Sequence, residues 1–247
     1  MTINFLWIGD YLNKLGKLGL KSFLDNDHEV VIWLYNKNCE NIPDGVIKKD
    51  ASEILNPDKV FLYNGKGDCR KGSCGGFSDL FRFYLLYEIG GWYCDTDVTC
   101  FKNFKELNEN EYVFRKNKNT IAVQNIIKCP AKCNFLKRCI TKTEDQINSN
   151  NDSWLKPVKI FSEVISELNL QQYILNESFF GVDDLNYIKS ILDINFNKTK
   201  IKLPTHGIHW CNEAINTGYW GDGIRSNMEC PIPTTLYYKL LKKHNLL

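Results

Sequence analysis

Two aspartates one residue apart, Asp95 and Asp97, end the stretch GGWYCDTD at 90–97. Carboxylates at this spacing suit a hard divalent cation. Mg²⁺ or Mn²⁺ held by them keeps positions open for water or phosphate. Such a cation bridges a diphosphate and offsets the charge that develops on a departing nucleotide. A solvated turn after a strand would use the same two residues without any chemistry. The preceding run, SDLFRFYLLYEI at 78–89, argues for more than a turn, because it is apolar except for Asp79, Arg82 and Glu88. A helix apolar on nearly every side is a buried one. Asp79 and Arg82, three apart, share one of its faces. An acid just after a Ser78 N-cap is also favoured by the helix dipole alone. Arg82 is different: a guanidinium on so apolar a helix needs a partner, which Asp79 or a ligand would supply.

The same aspartates fit a second chemistry. Asp95-Thr96-Asp97-Val98-Thr99 matches the D-x-D-x-T of haloacid-dehalogenase-like phosphatases, in which the first Asp is a nucleophile. Asp183-Asp184 resembles their later metal-binding pair. That motif normally follows the first strand of its domain, and here a long α/β stretch precedes it. Farther on, LPTHGIHWCN at 203–212 holds two of the four histidines. His209 and Asn212, three apart, would face one ion on a helical turn. A packed His with a capping Asn is the plain alternative.

Positioning these residues falls to a strand–helix–strand opening. Residues 3–8 read as a buried strand, 12–24 as a helix and 29–35 as a second strand, the start of a parallel, doubly wound sheet. A short strand at 46–48, a brief helix at 51–55 and a glycine-rich loop at 64–76 follow; the loop lacks the phosphate-loop pattern. Gly90-Gly91 ends the central helix in a left-handed cap. Residues 92–94 then form a strand whose carboxyl end carries the aspartates, where open α/β sheets bind ligands. Trp7 and Tyr35 fall near strand ends, where an aromatic stacks on a nucleobase or packs in the core. Strands are predicted at 112–115 and 120–123, with Gln124 and Asn125 at a strand end. A short helix at 135–139, a polar loop at 142–152 and helices at 158–168 and 235–246 complete the reading.

The chain of 247 residues suffices for one large α/β domain. Its net charge of +2, with no basic run interleaved with aromatics, gives no support for nucleic-acid binding. At 43% hydrophobic and 13% aromatic it folds. No leader pattern and no long apolar run are present, so the expectation is a soluble, cytoplasmic protein. Ten cysteines in that setting are expected as free thiols. Neither Cys69/Cys74 nor Cys129/Cys133/Cys139 has the paired spacing of structural zinc.

Together, Ser78-Asp79-x-x-Arg82 and Gly90-Gly91-Trp92-Tyr93-x-Asp95-Thr96-Asp97 resemble the sugar-binding DXD region of glycosyltransferase family 32 and its relatives. These include yeast-type mannosyltransferases, α1,4-glycosyltransferases and the glucosylating domains of large clostridial toxins. Residues 5–9 are similar to the family's opening strand, whose Trp stacks on the nucleotide base. Residues 208–213 resemble the segment that closes over the diphosphate and completes the metal shell. The resemblance implies the nucleotide-diphospho-sugar transferase (GT-A type) fold, a Rossmann-like α/β fold with one mixed central sheet flanked by helices. It implies a single domain over 1–247, with a nucleotide-sugar-binding half at 1–100 and an acceptor half plus metal-site closure at 101–247.

The activity implied is metal-dependent, retaining transfer of a hexose from a nucleotide-diphosphate sugar to a glycan or other hydroxyl acceptor. A UDP-sugar is favoured, a GDP-sugar possible, and Mn²⁺ or Mg²⁺ is the cofactor. By the same resemblance Asp97 coordinates the metal, Asp95 contacts the ribose beside it, and Asp79 and Arg82 hold sugar hydroxyls. Trp7 takes the base, while His209 and Asn212 complete the coordination. The chain departs from relatives by having Ala214 and Ile215 where a Trp often follows, with Tyr219 and Trp220 the next aromatics, and Lys156-Pro157 in place of a Gly-Pro. An inactive sugar-nucleotide-binding protein is a further alternative, and the Trp missing after Asn212 is its sequence support.

Overall fold

The computed structural model describes residues 1–118, 120–149, 153, 156–181, 183–193, 202–218, 228 and 230–247. Strands β1 (Thr2–Trp7), β2 (Glu29–Leu34), β3 (Ile47–Asp50) and β4 (Gly91–Cys94) run parallel. The antiparallel strands β6 (Val113–Lys116) and β7 (Ala122–Cys129) extend the sheet, and β8 (Ile174–Leu175) pairs parallel with β6. The order β3-β2-β1-β4-β7-β6-β8 makes one seven-stranded mixed sheet. β1 after Thr2 and β2 after Glu29 are almost wholly apolar because both faces are covered, as parallel strands require. Asn4 is the polar exception in β1. It donates to Trp92 O at 3.0 Å and accepts from Trp33 Nε1 at 3.0 Å, so it ties three adjacent strands.

One face carries α2 (Gly75–Ile89), α3 (Asn134–Ser149) and α4 (Lys156–Glu167) in a continuous core. α2 begins three residues before Ser78, so Ser78 is not its cap. Cys74 stands at the N-cap without a side-chain bond. Gly90 has φ +66° but ψ −168°, which is not the left-handed helical conformation. A Cβ there would meet Ala131 N at 2.6 Å, so contact with the loop before α3 demands the glycine.

Two expectations on this side are corrected. β7 continues to Cys129, which puts Gln124 and Asn125 inside a strand. The short helix and most of the polar loop form the 16-residue α3, and of that loop only Asn150, Asn151 and Asp152 lie outside the described residues. The polar composition hides a helical stripe, Leu136, Cys139, Ile140, Thr143 and Gln146, all buried. The helices predicted at 158–168 and 235–246 are α4 and the shorter α8 (Leu236–Lys243), the latter capped by Thr235.

The other face carries α1 (Lys14–Leu24), whose N-cap Asn13 accepts from Gly16 N at 2.7 Å. α1 packs on β5 (Val98–Cys100), the strand that follows the aspartates. β5 pairs antiparallel with β9 (Gly207–His209), with Val98 opposite His209. This two-stranded ladder lays the C-terminal segment on the Asp95–Asp97 turn. After the short α5 (Glu177–Phe180), α6 (Leu185–Leu192), α8 and the buried Trp210 form a third core cluster beneath it. Among the described residues no helix is long and apolar enough to cross a membrane. The ten cysteines carry free thiols.

Gly19 sits where α1 touches the turn. A Cβ there would lie 2.0 Å from Thr96 O and 3.0 Å from Val98 O, both backbone atoms that cannot rotate away. Gly19→Ala should therefore push the turn off the helix and destabilise the fold by about 1–3 kcal/mol. Urea denaturation measures the loss, and an unchanged midpoint would show that the contact is not close.

His28 is buried between the rings of Phe23 and Phe104, and its Nε2 accepts from Phe104 N at 3.3 Å. Burial, helped by the N-terminal ammonium, pushes its pKa down to about 4. In an unfolded chain a histidine titrates near 6.5. Between these values the unfolded chain binds a proton that the fold does not, so stability is full above about pH 6.5 and falls toward pH 4. His28→Gln keeps an acceptor for Phe104 N and should lessen the drop in melting temperature across that window. An equal drop in the variant would remove His28 as its cause.

Candidate active site

The carboxyl end of β4 is where the buried charges meet. Asp95 N donates to Asn125 O at 2.9 Å and Val98 N to Asp95 O at 3.1 Å, which closes the turn. Arg82 reaches this turn from α2, with its side chain only 5% exposed. Its Nη2 lies 2.9 Å from Asp95 Oδ1 and 3.2 Å from Asp79 Oδ1. Nη1 donates to Gln124 O at 2.9 Å and to Asp95 Oδ2 at 3.3 Å. Nε donates to Ser78 O at 3.2 Å, and Nη2 also to Ser78 Oγ at 2.8 Å. The guanidinium lies over the Tyr93 ring at 4.9 Å. These contacts occupy all five of its N–H donors. Arg82 is thus held by the protein and in turn holds Asp79 and Asp95.

Burial raises the Asp79 carboxyl against the pull of Arg82. Burial likewise lifts Asp95 to about 6, opposed by Arg82 and assisted by the charge of Asp97. Asp97 moves the other way. Burial would raise it, but the charge and hydrogen bond of His209 and the Asn212 N–H outweigh that and leave it below the ordinary carboxylate range.

Asp97 receives the C-terminal segment. Its O accepts from Trp210 N at 3.0 Å and its Oδ2 from Asn212 N at 2.7 Å, while His209 Nε2 stands 3.3 Å from Oδ2. His209 and Asn212 do not share a helical turn, contrary to expectation. His209 ends β9, Asn212 begins α7 (Asn212–Asn216), and Cys211 between them takes φ +56° and ψ +47°. That left-handed residue turns the chain so that the backbone of Asn212, rather than its spacing from His209, reaches Asp97.

Asp95, Asp97 and His209 each offer one ligand atom, and these atoms lie within 4.8 Å of one another. Two carboxylates and an imidazole are a donor set suited to Mn²⁺ and, less closely, to Mg²⁺. The residues present fit such a cation.

The two predicted aromatics differ. Trp7 ends β1, beside β4, and its buried indole Nε1 has no hydrogen-bond partner among the described residues. Tyr35 is absorbed by the core, its OH donating to Leu55 O at 2.7 Å and its ring set against Phe77 and Phe81. Sequence reasoning missed Arg115, Asn125 and Cys211 and placed Asp183 only in the phosphatase motif. An arginine inside the apolar strand Val113-Phe114-Arg115 was the available signal, since it too needs a buried partner. Its Nη1 meets Asp183 Oδ1 at 2.8 Å. Asp184 instead caps α6, accepting from Asn186 and Tyr187 N–H groups, and pairs with Lys118. The phosphatase geometry finds no support here. Thr99 is fully buried, with its hydroxyl accepting from Trp210 Nε1 at 2.9 Å, and both oxygens of Asp95 are engaged by Arg82.

Residues 20–114, which run from α1 into β6, match the family described as glycosyltransferase sugar-binding region containing DXD motif. That span contains Asp79, Arg82, Asp95 and Asp97. Among solved structures, the chain is similar to PaToxG glycosyltransferase, with a TM-score of 0.51 and 16% identity over 70% of this chain and 73% of that one. It also matches the apo-form glycosyltransferase GlyE of Streptococcus pneumoniae TIGR4, with a TM-score of 0.48 and 13% identity over 85% of this chain and 54% of that one. This chain thus spans about half of the length of GlyE. No curated protein sequence matches it. The mixed sheet and its flanking helices are the nucleotide-diphospho-sugar transferase (GT-A type) fold. The chain carries the DXD sugar-binding region and is a glycosyltransferase.

Arg82 is the buried cation between two half-buried carboxylates. Arg82→Met should cost about 1–3 kcal/mol, because Asp79 and Asp95 would be left without their cation in a partly desolvated place. The urea midpoint of the variant measures this, and a loss no larger than that of a surface substitution would contradict the arrangement.

Proposed function

We propose that this chain is a metal-dependent, retaining glycosyltransferase. In this reading it moves a hexose from a nucleotide-diphosphate sugar, preferably a UDP-sugar and alternatively a GDP-sugar, to a hydroxyl of a glycan or other acceptor. The observation that carries the reading is the convergence of Asp95, Asp97 and His209 on one point at the carboxyl edge of the sheet. Two of them come from the turn after β4 and the third from the end of β9, so the grouping is a product of tertiary structure.

The reading assigns Mn²⁺ or Mg²⁺ to Asp97, Asp95 and His209. When bound, the cation supplies positive charge against the diphosphate as it leaves. Asn212 serves through its backbone N–H, which orients Asp97 Oδ2. Arg82 serves by holding Asp79 and Asp95, its donors being already used, and these two carboxylates accept hydroxyls of the donor sugar and ribose. Trp7 stacks on the base. Fixing the donor this way lets an acceptor hydroxyl approach on the face the diphosphate leaves, which retains the anomeric configuration. Residues 1–100 act as the donor half and 101–247 as the acceptor half that closes the metal site, within one domain. Free thiols suit action in the cytoplasm.

The test is a thermal-shift screen of UDP- and GDP-sugars with Mn²⁺, run beside Asp97→Ala, followed by donor hydrolysis with and without EDTA. A donor at a hundred times its Kd adds about 2.7 kcal/mol, or about 5 to 10 °C for a chain of this size. The expected result is a shift that needs both the metal and Asp97, together with hydrolysis that EDTA abolishes. Binding without turnover would indicate an inactive sugar-nucleotide-binding protein. Hydrolysis that survives chelation would remove the metal from the mechanism.

A further inference from the structure

His209 has a second ring nitrogen, and its surroundings are as ordered as those of the first. Nδ1 lies 2.8 Å from Asp183 Oδ1, 2.9 Å from Asn125 Nδ2 and 3.3 Å from Cys211 Sγ. Asp183 is the charged acceptor among the three, so it takes the Nδ1 hydrogen in the stronger, charge-assisted bond. Asp183 is itself fixed. The same Oδ1 receives Arg115 Nη1 at 2.8 Å, and the Arg115 side chain is only 2% exposed. Arg115 Nη1 also donates to Asn125 Oδ1 at 3.3 Å, so the amide is held beside the ring, but with the Nδ1 hydrogen given to Asp183 the Asn125 nitrogen does not donate to Nδ1. Arg115 comes from β6, Asn125 from β7, Asp183 from the segment before α6 and His209 from β9. Two further elements therefore reach the ring of His209, through Asn125 and Asp183, and a third holds those two through Arg115.

A histidine that donates one N–H to a carboxylate presents the other nitrogen as a lone pair, with its ring orientation fixed. Here that other nitrogen is Nε2, 3.3 Å from Asp97 Oδ2; without an ion it carries a proton shared with Asp97, and a cation bound there would take that proton's place. We propose that Arg115 and Asp183 are positioning residues of the cation site: Asp183, anchored by Arg115, fixes the tautomer and rotamer in which His209 offers Nε2 to the ion shared with Asp97. The inference rests on the metal-site reading above and adds the two groups that preorganise it. Neither touches the donor, and both act through His209.

The experiment is Mn²⁺ titration of the full chain, followed by the electron paramagnetic resonance signal of free Mn²⁺, which needs no activity. Four proteins are compared: native, Asp183→Asn, His209→Ala and the double variant. Asp183→Asn should weaken Mn²⁺ binding about tenfold or more. In the His209→Ala background the same substitution should have no further effect, because the two act as one unit. Equal weakening in both backgrounds would overturn the proposal in favour of Asp183 acting directly. Unchanged affinity in a folded Asp183→Asn would overturn it outright. Should that variant fail to fold because Arg115 is left unpaired, Arg115→Met/Asp183→Asn removes both charges together, and the same prediction applies to it. Native protein that binds no Mn²⁺ at all would overturn the metal reading along with this one. A native protein that binds Mn²⁺ while Asp183→Asn binds equally well would sink the positioning role and leave the metal reading standing.

Discussion

The fold depends on how it keeps charge buried at the carboxyl end of β4. Taking a guanidinium and two carboxylates out of water costs several kcal/mol per ion, which is recovered only when every donor and lone pair finds a partner. Arg82 meets that condition through Ser78, Asp79, Asp95 and Gln124, drawn from α2, the aspartate turn and β7. The neighbouring strands must then stand in one register. Asn4 provides it on the parallel side, binding β4 and β2 at once. β7 provides it on the antiparallel side, where the carbonyls of Gln124 and Asn125 accept from Arg82 and Asp95.

Arg115 repeats part of this solution with different residues: its Nη1 is paired, while its buried Nε has no partner among the described residues. It too is an arginine in an apolar element, buried against an aspartate and adjacent to a strand amide. The two arginines lie on either side of the aspartate turn, one holding Asp95 and the other acting toward Asp97 through Asp183 and His209. Both aspartates are thereby held by positive charge from within the protein. Their carboxylates nonetheless titrate apart, Asp95 upward and Asp97 downward, because the partner of Asp97 includes a backbone N–H and an imidazole in addition to charge.

What could be read from the sequence was what local spacing carries. The opening strands, the buried α2 and the pairing of Asp79 with Arg82 follow from periods of a few residues, and the structure keeps them. His209 stood out through its rarity and its neighbours. Arg115 with Asp183 did not, because the partners are 68 residues apart and nothing local joins them. α3 was obscured by its polar face: eleven of its sixteen residues are polar or charged, although the buried stripe keeps helical spacing. Cys211 was beyond reach for another reason. A left-handed conformation at a non-glycine residue is imposed by the ladder before it and the helix after it, and no side-chain pattern announces it.

The β5–β9 ladder explains why the site needs the whole chain. The aspartate turn belongs to the first hundred residues, yet its electrostatics are set by His209 and the Asn212 N–H, both more than a hundred residues later. Val98 opposite His209 is the contact that joins them. Closing so long a loop is entropically costly, and the cost is met by the burial of Trp210, Ile208 and the α6–α8 cluster rather than by the site. The C-terminal third of the chain therefore does two things through one ladder. It covers the apolar side of α1, and it delivers an imidazole to an edge of the sheet that the first half leaves with two carboxylates and one arginine. A fragment ending after β7 would keep the Asp79–Arg82–Asp95 cluster. It would lose the imidazole of His209 and the N–H that orients Asp97, so the DXD sequence would be intact without the groups that the fold brings to Asp97.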